Sequence, residues 1–172
     1  MKNILLSFFI LTCFITCKAQ SKGSITIYGY RQVVLPGTIP QDVMDDDGNR
    51  VKTAYKPRHN FFIYTASNSR IYPSEIWIDG QAYSAKTEMI AQTPVEYINP
   101  TSLPADKKIA LVPKTSKKVM QLSLAPMIES KSMAKAKTLS KTNQLVVVYK
   151  QGGRSYYSVL KKFTELEPVA MQ

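Results

Sequence analysis

Cysteine and histidine are almost missing from this sequence of 172 residues. Its only cysteines, Cys13 and Cys17, lie near the start of the chain, and His59 is its only histidine. So few thiols and imidazoles argue against a redox pair, a zinc–thiolate site and the hydrolase triads that depend on histidine. The sequence accordingly predicts no cofactor and no catalytic histidine, and we interpret His59 as a residue at the start of a strand.

Apolar runs long enough to cross a membrane are also missing. The longest such run, residues 4–16, carries no charge and follows the basic Lys2, which is typical of a secretory signal. As a helix it would span only about 18 Å, well short of a hydrocarbon core of about 30 Å. We therefore expect a secretory signal peptide over residues 1–19 and one exported β-rich domain over residues 20–172, with no transmembrane segment in the mature chain.

The sequence FITCKAQ leaves two interpretations of the leader open. Cleavage after Ala19 places small residues, Cys17 and Ala19, at positions −3 and −1, as a signal peptidase requires. A lipoprotein signal would instead make Cys17 the lipidated residue, although Phe14 and Thr16 fit the usual lipobox poorly. The expected location is periplasmic or extracellular, with an outer-membrane lipoprotein anchored through Cys17 as the alternative.

Acidic residues are scarce in the second half of the chain. Residues 20–100 carry eight Lys/Arg and eight Asp/Glu, whereas residues 101–172 carry thirteen Lys/Arg and four Asp/Glu. A basic surface suits an anionic partner, and export argues against nucleic acid, so we expect an envelope protein or an anionic envelope surface. A merely solubilising face is the alternative. The predicted contact residues are Lys114, Lys117, Lys118, Lys131, Lys135 and Lys137.

Patterns typical of β-strands fill most of the remaining chain. Residues 24–35 alternate between Ile or Val and polar or aromatic side chains with period two. Asp79–Gly80 and Gly152–Gly153 each separate two such runs, which predicts hairpins over residues 71–90 and 144–163. Further short strands are expected over residues 60–65, 95–99, 107–113 and 118–126, and residues 127–142 are left open as a helix or a loop.

Short strands at this spacing predict an all-β domain. We expect a single antiparallel β-sandwich, Ig-like in architecture, or an open barrel. Such a fold does not by itself determine a function. The function that we expect is therefore the general one of an exported, non-enzymatic binding or accessory domain of the cell envelope.

Carboxylates provide two alternative functions. Asp45, Asp46 and Asp47 suggest a calcium-stabilised adhesion module, but their consecutive placement and the following Gly48 favour a turn. A hydrolase acting on envelope glycans would need two carboxylates in one cleft. The candidates for such a pair are Glu75, Asp79, Glu88 and Glu96.

Overall fold

The computed structural model describes residues 25–37, 43–44, 46–51, 57–100, 108–127 and 134–170. The predicted leader with Cys17 lies outside the described residues, as do Asp45 and Lys131. Strands account for 64% of the described residues and the one helix for very few, so the predicted all-β fold is confirmed. No helix in this part of the chain has the length and apolar composition needed to cross a bilayer.

Twelve strands and one short helix make up the described chain. They are β1 (Thr26–Leu35), β2 (Val43–Met44), β3 (Arg50–Val51), β4 (Arg58–Ser67), β5 (Tyr72–Ile78), β6 (Gln81–Ile90), β7 (Val95–Ile98), β8 (Lys108–Val112), β9 (Lys118–Ala125), α1 (Ala134–Leu139), β10 (Leu145–Gln151), β11 (Arg154–Leu160) and β12 (Thr164–Ala170). The helix α1 lies within the segment that the sequence left open between helix and loop.

Eight strands form one curled sheet in the order β11-β10-β5-β6-β9-β4-β1-β12. The pair β1–β12 is parallel and the other described pairs of this sheet are antiparallel, so the sheet is mixed where the sequence predicted a purely antiparallel one. The curl brings the end of β11 close to β1. A Cβ added to Gly29 of β1 would lie only 2.5 Å from Leu160 Cδ2 of β11. The architecture is a half-barrel, which is consistent with the predicted all-β sandwich or open barrel.

Both predicted hairpins are present. Asp79 and Gly80 have φ values of 47° and 85°, as a two-residue turn of type I′ requires between β5 and β6. Gly152 and Gly153, at 56° and 76°, make the corresponding turn between β10 and β11. Asp and Gly at these positions were therefore sufficient to locate β5, β6, β10 and β11, which are four of the eight strands in the main sheet.

The main core lies on the concave face of the sheet, which we call the inner face. Alternate residues of each strand point there, so that Ile63 belongs to this core while its neighbour Tyr64 points to the outer face. Gly29 lets Leu160 and Phe163 close the core where β11 approaches β1. The buried members of the inner core are Ile63, Ile71, Ile76, Ile78, Met120, Leu122, Leu145, Val147, Tyr149 and Phe163.

Two smaller apolar clusters cover the outer face. The β7–β8 hairpin packs Leu111 and Val112 against the cluster that includes Tyr64. The helix α1 buries Ala136 against Trp77 and Val146 of β5 and β10. Both faces of β10 and of the second half of β4 are thus buried, which explains the nearly continuous apolar runs in these two strands.

A buried polar network fixes the β7–β8 hairpin to the sheet. Gln32 of β1, which is 1% exposed, donates from Nε2 to the Glu167 carbonyl at 2.8 Å and to the Tyr97 hydroxyl at 2.8 Å. Asn99, which follows β7, donates from Nδ2 to the Pro168 carbonyl at 3.1 Å. These bonds supply partners for amides that would otherwise be costly to bury.

Candidate functional site

The lysines predicted to contact an anionic partner lie on two separate elements. Lys114 and Lys117 lie in the β8–β9 loop and Lys118 begins β9, whereas Lys135 and Lys137 belong to α1. The helix packs on β10, which is three strands away from β9 in the sheet. The structure therefore divides the predicted patch into a loop group and a helix group.

The helix group includes one lysine with a defined contact. Lys135 Nζ lies 5.4 Å from the centre of the Tyr157 ring, which is the geometry of a cation–π interaction. Lys137 is exposed in the last turn of α1, where a positive charge is favourable next to the free carbonyl groups. Both lysines thus have roles in stabilising a short helix.

Within the loop group, Lys118 lines a cavity of about 450 Å³ at one end of the half-barrel, whereas Lys117 Nζ donates a hydrogen bond to Thr26 Oγ1 at 3.2 Å. Four neighbouring strands, β4, β5, β6 and β9, have their termini at this end, and residues 68–71 connect β4 to β5 across it. We call this end the mouth. A cavity of this size lies within the range of about 300–1,000 Å³ that is usual for small-molecule sites.

Strand register explains why distant residues meet at the mouth. Ser67 pairs with Lys118 across β4 and β9, and Met89 pairs with Met120 across β6 and β9. Paired residues share a face, and Met120 belongs to the inner core, so all of these side chains lie on the inner face. The mouth cavity is therefore the open end of the barrel interior.

Charge at the mouth has one sign. Arg70 and Lys118 are the charged residues among the described lining, which includes no carboxylate. The Arg70 guanidinium lies 5.2 Å from the centre of the Tyr72 ring, and this contact orients it beside the cavity. Hydroxyl groups of Ser67, Ser69 and Thr87 add polar contacts to the lining, which is otherwise apolar. The mouth thus combines cations and hydroxyls with an apolar floor.

One buried hydroxyl group lies beside this cavity. Thr65 is 0% exposed, pairs with Met120, and occupies the next inner-face position below Ser67. Its Oγ1 has no hydrogen-bond partner among the described residues. Such a group is costly to bury, because it loses its bonds to water without compensation.

The opposite end of the half-barrel is closed by ion pairs and aromatic rings. Arg31 of β1 binds Glu165 of β12, with 2.7 Å between Nη2 and Oε1, and approaches Asp79 with 3.8 Å between Nη1 and Oδ2. The hydrogen bond with Arg31 lowers the pKa of the Glu165 carboxyl and raises the pKa of the Arg31 guanidinium. We call this the closed end, and Phe163 packs against Phe61 there with 5.3 Å between ring centres.

The four carboxylates considered for glycan hydrolysis lie on different elements. Asp79 is in the β5–β6 turn near Arg31, and Glu75 Oε2 accepts a hydrogen bond from Trp77 Nε1 at 3.2 Å. Glu96 of β7 pairs with Lys108 at 3.0 Å, while Glu88 is exposed on β6. Each of the first three thus has a structural contact of its own.

The acidic segment and His59 have the local structures that the sequence favoured. Gly48 has a φ of 78° in the turn between β2 and β3, next to Asp47. No group of three potential metal ligands occurs within the described ranges, which do not include Asp45. His59 is the second residue of β4, as expected for a strand start, and its ring lies 6.2 Å from that of Phe61.

Several residues of the mouth were not singled out from the sequence. Arg70, Tyr72, Thr87 and Met89 belong to three different segments, and no local motif links them. The one available signal was the lysine run that includes Lys118, which locates one wall of the cavity.

Comparisons with known proteins assign no family to this fold and site. No protein-family model matches the chain, and neither a curated protein nor a solved structure matches it. A function must therefore be inferred from the residues and geometry of the mouth.

Proposed function

We propose that this chain is an exported, non-enzymatic binding domain of the cell envelope, and that it meets an anionic partner at the mouth of its half-barrel. The observation that supports this most directly is the charge at the mouth. Arg70 and Lys118 line the cavity without a carboxylate among the described lining residues, and Lys114 is exposed in the loop that leads to Lys118.

Unbalanced charge around a concave surface attracts ions of the opposite sign. A cavity with low-dielectric walls concentrates this field and raises the local concentration of an anionic partner. At the closed end the corresponding cation, Arg31, is instead neutralised by Glu165. The mouth is therefore the better candidate for recognition, and the predicted secretory leader supports a partner in the envelope.

Matched charge reversals test the proposal. Lys114→Glu with Lys118→Glu changes the mouth, whereas Lys135→Glu with Lys137→Glu makes the same change of charge on α1. Binding is measured by co-sedimentation with phosphatidylglycerol vesicles and by cross-linked capture from envelope fractions, each at low and high salt. A basic residue near an anionic surface contributes about 1 kcal/mol, so the mouth pair should weaken binding by at least about tenfold.

The control pair and the salt series make the outcome decisive. The α1 pair should change binding less than the mouth pair, and salt should weaken binding by the unmodified protein because it screens exposed charges. Equal losses from the two pairs, or binding that does not respond to salt, would contradict a role for the mouth. Circular dichroism verifies that each variant is folded.

A further inference from the structure

We infer that the mouth cavity binds single molecules of an anionic amphiphile, a compound with one carboxylate or phosphate head group and an unbranched apolar tail. This inference rests on the proposed function for the sign of the charge and extends it to a ligand class. The head group would lie between Arg70 and Lys118, and the tail would enter the barrel interior.

The cations of the mouth match an anionic head group. Arginine presents a planar fork of donors that binds carboxylate or phosphate through two hydrogen bonds, and lysine adds a mobile point charge. Stacking on Tyr72 holds the Arg70 guanidinium beside the cavity. Ser67 and Thr87 line the same cavity and offer hydroxyl donors. Both charges are therefore available to one head group at the rim.

The apolar part of the cavity matches a tail. Ile71 and Met120 form a floor that is continuous with the inner core, since both residues belong to it. Met89 is 59% exposed and Tyr72 is 53% exposed, although each lines the cavity. These are the two most exposed of the large apolar side chains in the described part of the chain, and both lie at this one cavity.

Exposed apolar side chains around a concave site mark a surface that gains from being covered. Methionine suits a flexible tail, because its unbranched and polarisable side chain adapts to irregular shapes. A purely hydrophilic anion would use Arg70 and Lys118 but leave Met89 and Tyr72 uncovered. The combination of charges and exposed apolar groups therefore favours an amphiphile over a simple anion.

Dodecanoate tests the inference directly by isothermal titration calorimetry. The unmodified protein should bind one dodecanoate, and should bind acetate and 1-dodecanol at least about tenfold more weakly, because each lacks one of the two contacts. Thr87→Trp fills the cavity from an exposed position of β6 and should abolish binding. Arg70→Gln with Lys118→Gln should weaken binding by at least about tenfold, because both charge-assisted contacts are lost. Lys135→Gln with Lys137→Gln, the matched control, should leave binding unchanged.

Two results would overturn the inference. The first is failure of the unmodified protein to bind dodecanoate, and the second is undiminished binding by folded Thr87→Trp protein. Either result leaves the proposed function intact if vesicle binding still depends on Lys114 and Lys118. Should dodecanoate binding be lost together with vesicle binding in Thr87→Trp, the amphiphile is a bilayer lipid. Loss of dodecanoate binding alone identifies a free amphiphile, and both of these outcomes support the cavity as the site.

Discussion

The two ends of the half-barrel differ in how their interior is filled and in whether their charges are neutralised. At the closed end, Phe163 fills the interior and Arg31 is held by Glu165 at 2.7 Å. At the mouth, Arg70 and Lys118 have the same sign of charge and border a cavity of about 450 Å³. Neutralised charge and filled space stabilise a fold, whereas like charges around an open space favour a ligand.

This difference follows from how the sheet curls. At the closed end, β11 meets β1 because Gly29 leaves room for Leu160 and Phe163. At the mouth, the chain from β4 to β5 passes over the strand ends and leaves Met89 exposed between them. We therefore expect substitutions at the closed end to affect stability, and substitutions at the mouth to affect binding.

The largest expected change in the free energy of unfolding comes from a substitution at the closed end. Phe163→Ala removes a ring that is 2% exposed and packs in the inner core, so it should lower the free energy of unfolding by about 3–5 kcal/mol. Met89→Ala at the mouth should change it by less than about 0.5 kcal/mol, because the side chain is already exposed. Urea denaturation measures both values. Comparable losses for the two variants would mean that the mouth is as tightly packed as the closed end.

A smaller change, which raises the free energy of unfolding, is expected from a substitution beside the mouth. Thr65→Val keeps the shape of a side chain whose buried hydroxyl has no partner among the described residues, so it should stabilise the protein by about 1 kcal/mol. Thr87→Val, at an exposed position of the same face, should stay within about 0.5 kcal/mol of the unmodified protein. Thermal unfolding of both variants provides the comparison. A lower melting temperature for Thr65→Val would show that this hydroxyl is satisfied in the native protein.

The smallest expected effect is the pH dependence of stability that arises from the ion pair at the closed end. Arg31 holds the pKa of Glu165 below its ordinary value of 4.5. A carboxyl with a lowered pKa stabilises the fold above its unfolded pKa, and this contribution is lost as the pH falls through the lower, folded value. Because the Glu165 side chain is 45% exposed, solvent screening limits the contribution to less than about 1 kcal/mol.

Glu165→Gln isolates this contribution. The variant should be less stable than the unmodified protein at pH 7, and the difference should shrink as the pH falls below about 4.5. Urea denaturation at pH 7 and at pH 3 measures the two differences. Sodium chloride at 1 M should reduce the difference at pH 7. A difference that stays constant with pH would exclude an ionic origin.

Local signals in the sequence were sufficient for the strands that follow tight turns. Asp79–Gly80 and Gly152–Gly153 need positive φ, and few residue pairs other than these tolerate it, so both hairpins could be predicted. The strand β12 was not predicted. Its sequence TELEPVA is charged and contains Pro168, so it lacks the alternating apolar pattern of a strand. Such a sequence is tolerated because β12 lies at the edge of the sheet, where one side of the strand needs no hydrogen-bonded neighbour.

The mouth could be predicted only in part, because pairing between distant strands creates it. Lys118 was predicted to contact a partner because it belongs to a run of lysines, but nothing in the neighbouring sequence indicates that Ser67 lies opposite it in the sheet. Met89 and Met120 likewise become neighbours only through the β6–β9 register. A sequence can indicate which residue types are available for a site, whereas strand order decides which of them share a surface.

The parallel pair β1–β12 has a consequence for how the chain folds. Arg31 and Glu165 are 134 residues apart in sequence, yet they are partners in this pair. Contacts between such distant residues slow folding, since the whole intervening loop must be closed before they form. The strand β1 therefore keeps one unpaired edge until the last strand arrives. During that interval the open edge of β1 is exposed to mispairing.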